Sequence, residues 1–228
     1  KSFKSDLKAK ILDINCKGKF IYIILDNDWT IWITLGMSGH FVKKKYKHTH
    51  YTFETSKGKF YMDDTRNFGT LNFYKKDDEK NSLKDKLNSI GFDPLQNKIK
   101  FEDFLKNFNK FKKKKPNKNI AELLLEQKFI AGIGNYLRSD ILYKANINPF
   151  TKLKSLNKNK LIELSKYLYK IPNESYKNQK NKLRLHSYNF KIYGRDTTSK
   201  GEKVYRYKIK DRSVFTIFKK NWINYFLI

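Results

Sequence analysis

Apolar and polar residues change period twice along the chain. Up to about residue 73 the pattern is that of strands. Phe20-Ile21-Tyr22-Ile23-Ile24-Leu25 and Trp29-Thr30-Ile31-Trp32-Ile33 are β-branched and aromatic runs on either side of Asp26-Asn27-Asp28, a turn signal. Tyr51-Thr52-Phe53-Glu54 and Lys59-Phe60-Tyr61-Met62 flank Ser56-Lys57-Gly58 and predict a second hairpin. Runs of this length and spacing predict a β-sandwich or barrel. From Ser82 the period becomes helical. Leu83, Leu87 and Ile90 share one face, with Gly91 as a stop, and Phe101, Phe104, Leu105 and Phe108 share another. Three more helices are predicted: Ile120 to Phe129, ended at Gly132; Gly134-Asn135 to Asn146, before Pro149; and Leu153 to Tyr169, ended by Pro172. After Lys180 alternation returns. Val204 to Ile209 and Ser213 to Ile217 surround Lys210-Asp211-Arg212, a hairpin with an arginine at its tip. The fold class expected is α+β. No long-period internal repeat is present.

Composition narrows the picture. A chain of 228 residues suits one large domain or two to three small ones, and 39% hydrophobic residues with 16% aromatic exclude global disorder. No run of about 18 apolar residues predicts a membrane span. Lys1-Ser2-Phe3-Lys4 lacks both a Met and the apolar run of a signal peptide, so processing or a fragment is expected. The formal net charge of +28 favours a polyanionic partner. It has a second reading, because 44 lysines against 6 arginines is also what an A/T-rich genome writes wherever a polar residue suffices. An anionic membrane is the rival polyanion, yet no basic amphipathic helix stands out. Cys16 is the single cysteine, which excludes a disulfide framework and a cysteine-rich zinc site and fits a reducing, intracellular setting.

The most informative stretch is Leu123-Leu124-Leu125-Glu126-Gln127-Lys128-Phe129-Ile130-Ala131-Gly132-Ile133-Gly134-Asn135-Tyr136-Leu137-Arg138. It reads as helix, tight Gly-Ile-Gly turn, helix. Glycines let a ligand approach the backbone, the next helix offers N–H groups at its start, and Asn135 adds a side-chain donor, which together would suit a phosphate. A helix–helix packing corner accounts for the same residues.

This stretch, with the trailing Ala145-Asn146-Ile147-Asn148-Pro149, resembles the helix-two-turn-helix motif of the formamidopyrimidine/endonuclease VIII DNA glycosylases. So do Lys17-Gly18-Lys19-Phe20, Leu35-Gly36-Met37-Ser38-Gly39, Lys47-His48-Thr49-His50, Asp64-Thr65-Arg66-Asn67-Phe68-Gly69 and Ile192-Tyr193-Gly194-Arg195, in the family's order and across nearly the whole chain. The resemblance implies roles. Lys19 resembles an active-site lysine near the phosphate of the damaged nucleotide; without the resemblance it is a solvated strand-end lysine. Met37, Arg66 and Phe68 resemble the wedge that fills the gap left by an extruded base, where Arg66 would meet the orphaned partner base. Core packing is the alternative for Met37 and Phe68. His48 and Asn135 resemble phosphate contacts, with His50 a weaker match. Asn67 stands where the family pattern carries a second arginine. With no cysteine beyond Cys16, the C-terminal hairpin with Arg212 resembles the zincless finger of the endonuclease VIII-like branch, held by cross-strand packing.

The resemblance implies three parts: a partial N-terminal β-sandwich over 1–80, a helical domain with the helix-two-turn-helix over 81–185 and a zincless finger over 186–228. It implies base excision repair of oxidised bases in duplex DNA by base flipping, glycosylase chemistry and β/δ-elimination at abasic sites, by a monomer with no metal or cofactor in a nucleus, viral replication site or other DNA-containing compartment. The family's nucleophile is an N-terminal proline beside a glutamate. The chain begins Lys-Ser-Phe and its first proline is Pro94, so these 228 residues are expected to bind DNA without excising bases. A noncatalytic damage binder or architectural protein is the alternative; a ribosomal-type RNA binder rests on charge alone. The zincless finger suggests oxidised pyrimidines, and ring-opened or hydantoin purines, as lesions, whereas Met37 is closer to an 8-oxoguanine pattern. A short Lys/Asn-rich loop between about Asn173 and Lys191 is expected to cover the flipped base.

Overall fold

In the computed structural model, residues 8–76, 78–180 and 189–220 are described. The chain divides into two compact units, residues 1–89 and 90–228.

Among the described residues the first unit has seven strands: β1 Ile11–Lys17, β2 Phe20–Leu25, β3 Trp29–Thr34, β4 His40–Val42, β5 Thr49–Thr55, β6 Gly58–Asp63 and β7 Thr70–Lys75. They form two antiparallel sheets, ordered β1-β2-β3-β7 and β4-β6-β5. The predicted hairpins are present, β2 to β3 with Ile23 opposite Ile31 and β5 to β6 with Phe53 opposite Phe60. Asp28, at φ 63°, supplies the left-handed residue that the tight β2–β3 turn requires. Alternation sets the faces. Ile23, Leu25, Ile31 and Ile33 point inward to meet Met62 of the second sheet, with Phe53, Leu71 and Phe73 around them. Burying each such side chain contributes roughly 1.5–3 kcal/mol. The opposite face of the four-stranded sheet carries aromatic residues, with Phe20 edge-on to Trp32 and Trp32 4.3 Å from Tyr74. Helix α1 (Leu83–Ser89) adjoins it, where Lys86 stands over the Phe20 ring and Leu87 O accepts from Lys17 Nζ.

The second unit is helical around one core. It contains α2 Phe101–Lys114, α3 Ile120–Leu123, α4 Asn135–Lys144 and α5 Lys158–Lys180, then the hairpin β8 Tyr205–Ile209 and β9 Arg212–Thr216. Phe104, Phe108, Phe129, Ile141, Leu164 and Leu168 are central to this core. Helix α1 ends at Ser89, just before Gly91 as expected; a β-carbon on Gly91 would stand 2.5 Å from the Phe129 carbonyl carbon and oxygen, so glycine is required there by close approach. Three sequence expectations change. The helix expected over Ile120 to Phe129 is the single turn α3, after which the bonds Leu125 N to Glu122 O and Glu126 N to Leu123 O tighten the chain into successive turns. Pro172 lies inside α5 instead of ending it. A proline here removes one N–H and crowds the preceding turn, but Asn173 Nδ2 donates to Tyr169 O at 2.8 Å and the apolar stripe Leu164, Leu168, Ile171 runs through the site into the core. Consequently Asn173 to Lys180, expected to begin the covering loop, is helical; residues 181–188 lie outside the described residues. Finally, Lys210 and Asp211 both have positive φ, 46° and 59°, which makes a two-residue primed turn and puts Arg212 at the start of β9, not at the tip.

Candidate nucleic-acid interface

In the first unit two glycine-containing loops meet. Leu35–Gly39 joins β3 to β4, and Asp64–Gly69 joins β6 to β7. Gly36 takes φ 61°, and a β-carbon on it would lie 2.8 Å from the Phe68 carbonyl carbon. Gly39 N donates to Leu35 O at 2.9 Å, and a β-carbon on Gly39 would stand 2.3 Å from that oxygen. Glycine is therefore demanded at both ends of the Gly36-Met37-Ser38-Gly39 turn, and the turn lies directly on the Phe68 backbone. Met37 and Phe68 are 58% and 59% exposed, which removes core packing as their explanation. Arg66 is exposed, and its Nη1 lies 3.7 Å from Met37 Sδ. The three residues read from the sequence as a wedge are thus brought together on one surface.

The centre of this arrangement is Asp64, which is buried. Its Oδ1 accepts from the Ser38 hydroxyl and from Arg66 N at 3.3 Å; its Oδ2 accepts from Gly69 N at 2.7 Å. The Ser38 hydroxyl first, then the Gly69 and Arg66 amides, outweigh burial and lower the carboxyl to about 2. His48 is exposed in the turn before β5, and its carbonyl accepts from Asp64 N at 2.9 Å. The His50 ring Nε2 donates to Asp64 O at 2.8 Å, which gives His50 a part in holding this loop. Lys19 is exposed after Gly18 in the β1–β2 turn. A hollow of about 400 Å³ on the aromatic face, lined by Trp32 and Tyr74 among others, contains none of these residues.

In the second unit the Gly-Ile-Gly turn opens α4. Gly132 needs its positive φ of 82°, whereas Gly134 is extended and serves as the N-cap without a side-chain cap bond. Gln127 shapes the turn from behind: its Oε1 accepts from Gly132 N at 2.9 Å, and its Nε2 donates to Leu125 O and Ile133 O. Asn135, half-buried, is the first residue of α4.

Sequence reasoning did not single out three polar residues further along α4 that hold the surroundings of Asn135 and Arg212 together. Arg138, Ser139 and Asp140 are polar yet fully buried. Arg138 donates from Nη1 to Ala121 O at 3.0 Å and from Nη2 to Ser213 O at 2.8 Å. Ser139 Oγ donates to Asn135 O and accepts from Phe215 N, both at 3.1 Å. Asp140 accepts from the backbone N–H groups of Lys191, Ile192 and Tyr193. Burial lowers the Arg138 guanidinium to about 10, helped by the like charge of Arg212, and burial raises the Asp140 carboxyl against the pull of its three N–H donors. These contacts tie β9, where Arg212 is exposed, to the helix that starts at Asn135. The turn before β8 is closed by Thr198, whose hydroxyl accepts from Lys200 N and Glu202 N at 3.2 Å and donates to the Glu202 carboxylate. Tyr143 of α4 donates to that carboxylate at 3.1 Å. Three successive polar residues in the middle of a helix would read as part of a solvent face; the signal for burial is that the rest of α4 leaves no continuous polar side.

Two family models match the chain: the formamidopyrimidine-DNA glycosylase N-terminal domain over residues 1–71 and the formamidopyrimidine-DNA glycosylase H2TH domain over residues 90–187. The formamidopyrimidine-DNA glycosylase of Rickettsia conorii is 30% identical over 210 residues, 85% of this chain and 74% of that protein. That of Ureaplasma parvum is 32% identical over 207 residues, 87% of this chain and 70% of that protein. In fold, the MutM (Fpg) protein of Thermus thermophilus superposes with a TM-score of 0.77 at 24% identity, covering 91% of this chain and 81% of its own. The Lactococcus lactis Fpg in complex with DNA containing an abasic site gives 0.76 at 22% identity, covering 91% and 80%. The chain belongs to the formamidopyrimidine-DNA glycosylase family.

Proposed function

We propose that this chain is the lesion-recognising body of a base excision repair DNA glycosylase, acting on duplex DNA that carries oxidised bases or abasic sites, with the family's glycosylase and lyase chemistry. The observation that carries the reading is the convergence of Met37, Arg66 and Phe68, all exposed, on a buried hydrogen-bonded frame. Exposed apolar side chains on a rigid loop suit insertion into a base stack, because extruding a base costs a few kcal/mol of stacking that an inserted side chain partly restores. Arg66 is assigned to the orphaned partner base, Lys19 to the phosphate at the reacting sugar, and His48, Asn135 and Arg212 to flanking phosphates. The Gly132–Asn135 turn supports Asn135, because the start of an uncapped ten-residue helix favours an anion. The hairpin fits the zincless branch: backbone and side-chain hydrogen bonds from Arg138, Ser139 and Thr198 hold its surroundings together. An enzyme of this kind works in a DNA-containing compartment, a nucleus or viral replication site included.

The test is fluorescence anisotropy with a duplex containing a tetrahydrofuran abasic analogue and with the intact duplex. The chain is expected to prefer the abasic duplex, and Arg66→Ala to reduce that preference by roughly tenfold. Equal loss on both duplexes with the preference intact would remove the wedge assignment.

A further inference from the structure

We propose that Asp64 is the positioning residue of the wedge, its carboxylate clamping the loop that carries Met37 to the loop that carries Arg66 and Phe68. The inference rests on the wedge reading above. Nothing in the motif Asp64-Thr65-Arg66-Asn67-Phe68-Gly69 gave Asp64 a task; its surroundings do.

Three donors from two loops converge on one side chain. Ser38, next to Met37, donates its hydroxyl, while Arg66 and Gly69 donate backbone N–H groups from either side of Phe68. An ionised carboxylate has only acceptors, so it satisfies all three at once. The Ser38 hydroxyl closes the clamp, because it also accepts from Arg66 N at 3.1 Å. The backbone of Asp64 is fixed in turn by its bonds to His48 O and the His50 ring. Asp64 itself is 1% exposed, so it cannot touch DNA and acts only through the residues it holds. Met37 and Phe68 show the opposite character: exposed apolar tips, each one residue from a bond of the clamp or its Gly36 contact. A loop that had to become ordered during binding would charge that entropy against every lesion encounter. The clamp removes this term before DNA arrives.

The experiment compares the full 228-residue chain with Ser38→Ala, Ser38→Thr, Asp64→Asn and Arg66→Ala. Each is titrated with the tetrahydrofuran duplex and the intact duplex, and its thermal midpoint is measured. Ser38→Ala and Asp64→Asn are expected to lower the abasic preference about three- to tenfold, the equivalent of one or two weakened hydrogen bonds. Affinity for intact duplex is expected to change less than about twofold. Ser38→Thr keeps the hydroxyl and is expected to keep the preference. If Asp64→Asn fails to fold, Ser38→Ala decides. A loss in proportion on both duplexes, or an unchanged preference in Ser38→Ala and Asp64→Asn while Arg66→Ala loses it, would overturn the positioning role. An unchanged preference in Arg66→Ala itself would instead overturn the wedge reading.

Discussion

Gly36→Ala should damage the first unit more than its single added methyl group suggests, for two reasons that add. The backbone sits at φ 61°, where a residue with a β-carbon carries strain of about 1–2 kcal/mol. The new carbon would also lie 2.8 Å from the Phe68 carbonyl carbon, 2.9 Å from Phe68 Cβ and 3.0 Å from Gly69 N. None of these atoms is the far end of a flexible side chain, so the Asp64–Gly69 loop must shift as a body; overpacking of this kind typically costs about 1–3 kcal/mol. The sum is roughly 2–5 kcal/mol. Gly201→Ala supplies the control, because Gly201 has φ 79° with no atom within 4 Å of a β-carbon, leaving strain alone. Urea unfolding followed by far-UV circular dichroism suits the comparison, since it reads both the strands of the unit that holds Gly36 and the helices of the unit that holds Gly201. The abasic preference should fall in Gly36→Ala and persist in Gly201→Ala. If the two variants unfold within about 0.5 kcal/mol of each other and both retain the preference, the close approach of Gly36 to the Phe68 backbone has no energetic meaning and the reasoning fails.

Other outcomes follow from the same geometry. Asp140→Ala leaves the N–H groups of Lys191, Ile192 and Tyr193 without their acceptor, and the loss should be about 2–4 kcal/mol in denaturant unfolding after relief of the buried charge offsets part of it. Asn135→Ala and Arg212→Ala should weaken binding to damaged and intact duplex alike; Arg212→Ala, which removes a cation, should also flatten the salt dependence in anisotropy titrations, whereas the neutral Asn135→Ala should leave the slope unchanged and Arg66→Ala should alter it less than Arg212→Ala. Asp64, lowered from 3.8 to about 2 on folding, contributes stability that is fully present above about pH 4 and is lost as the pH falls through about 2; acid unfolding of Asp64→Asn should therefore show a shallower limb in that window. Elemental analysis of chelator-free protein should find no stoichiometric zinc, since Cys16 and four histidines are the only thiol and imidazole groups in the chain.

What the sequence disclosed, it disclosed through local rules. Alternation in Phe20–Leu25 and Trp29–Thr34 needs only neighbours to be read, and those strands form as expected. The residues proposed as the wedge were named only by resemblance, because what brings their loops together is the fit of Gly36 against Phe68, 32 residues away, and no period records such a contact. Pro172 signalled a helix end by its own chemistry, but the signal lost to an apolar stripe buried by other helices and to the Asn173 side chain that occupies Tyr169 O. Arg138, Ser139 and Asp140 were illegible for a further reason: polar residues become interior only when distant backbone arrives to bond them.

That dependence sets an order of assembly. Asp140 reaches its partners 51–53 residues downstream, Arg138 and Ser139 theirs 75 and 76 residues downstream. During synthesis at about 5–20 residues per second, α4 leaves the ribosome on the order of ten seconds before the backbone that completes it. Until that backbone arrives the Arg138 guanidinium and the Asp140 carboxylate lack their downstream partners, so burying them costs more than in the finished fold. The hairpin is therefore expected to seal the helix last, and a chain halted short of it is expected to be cut faster along this polar seam in limited proteolysis.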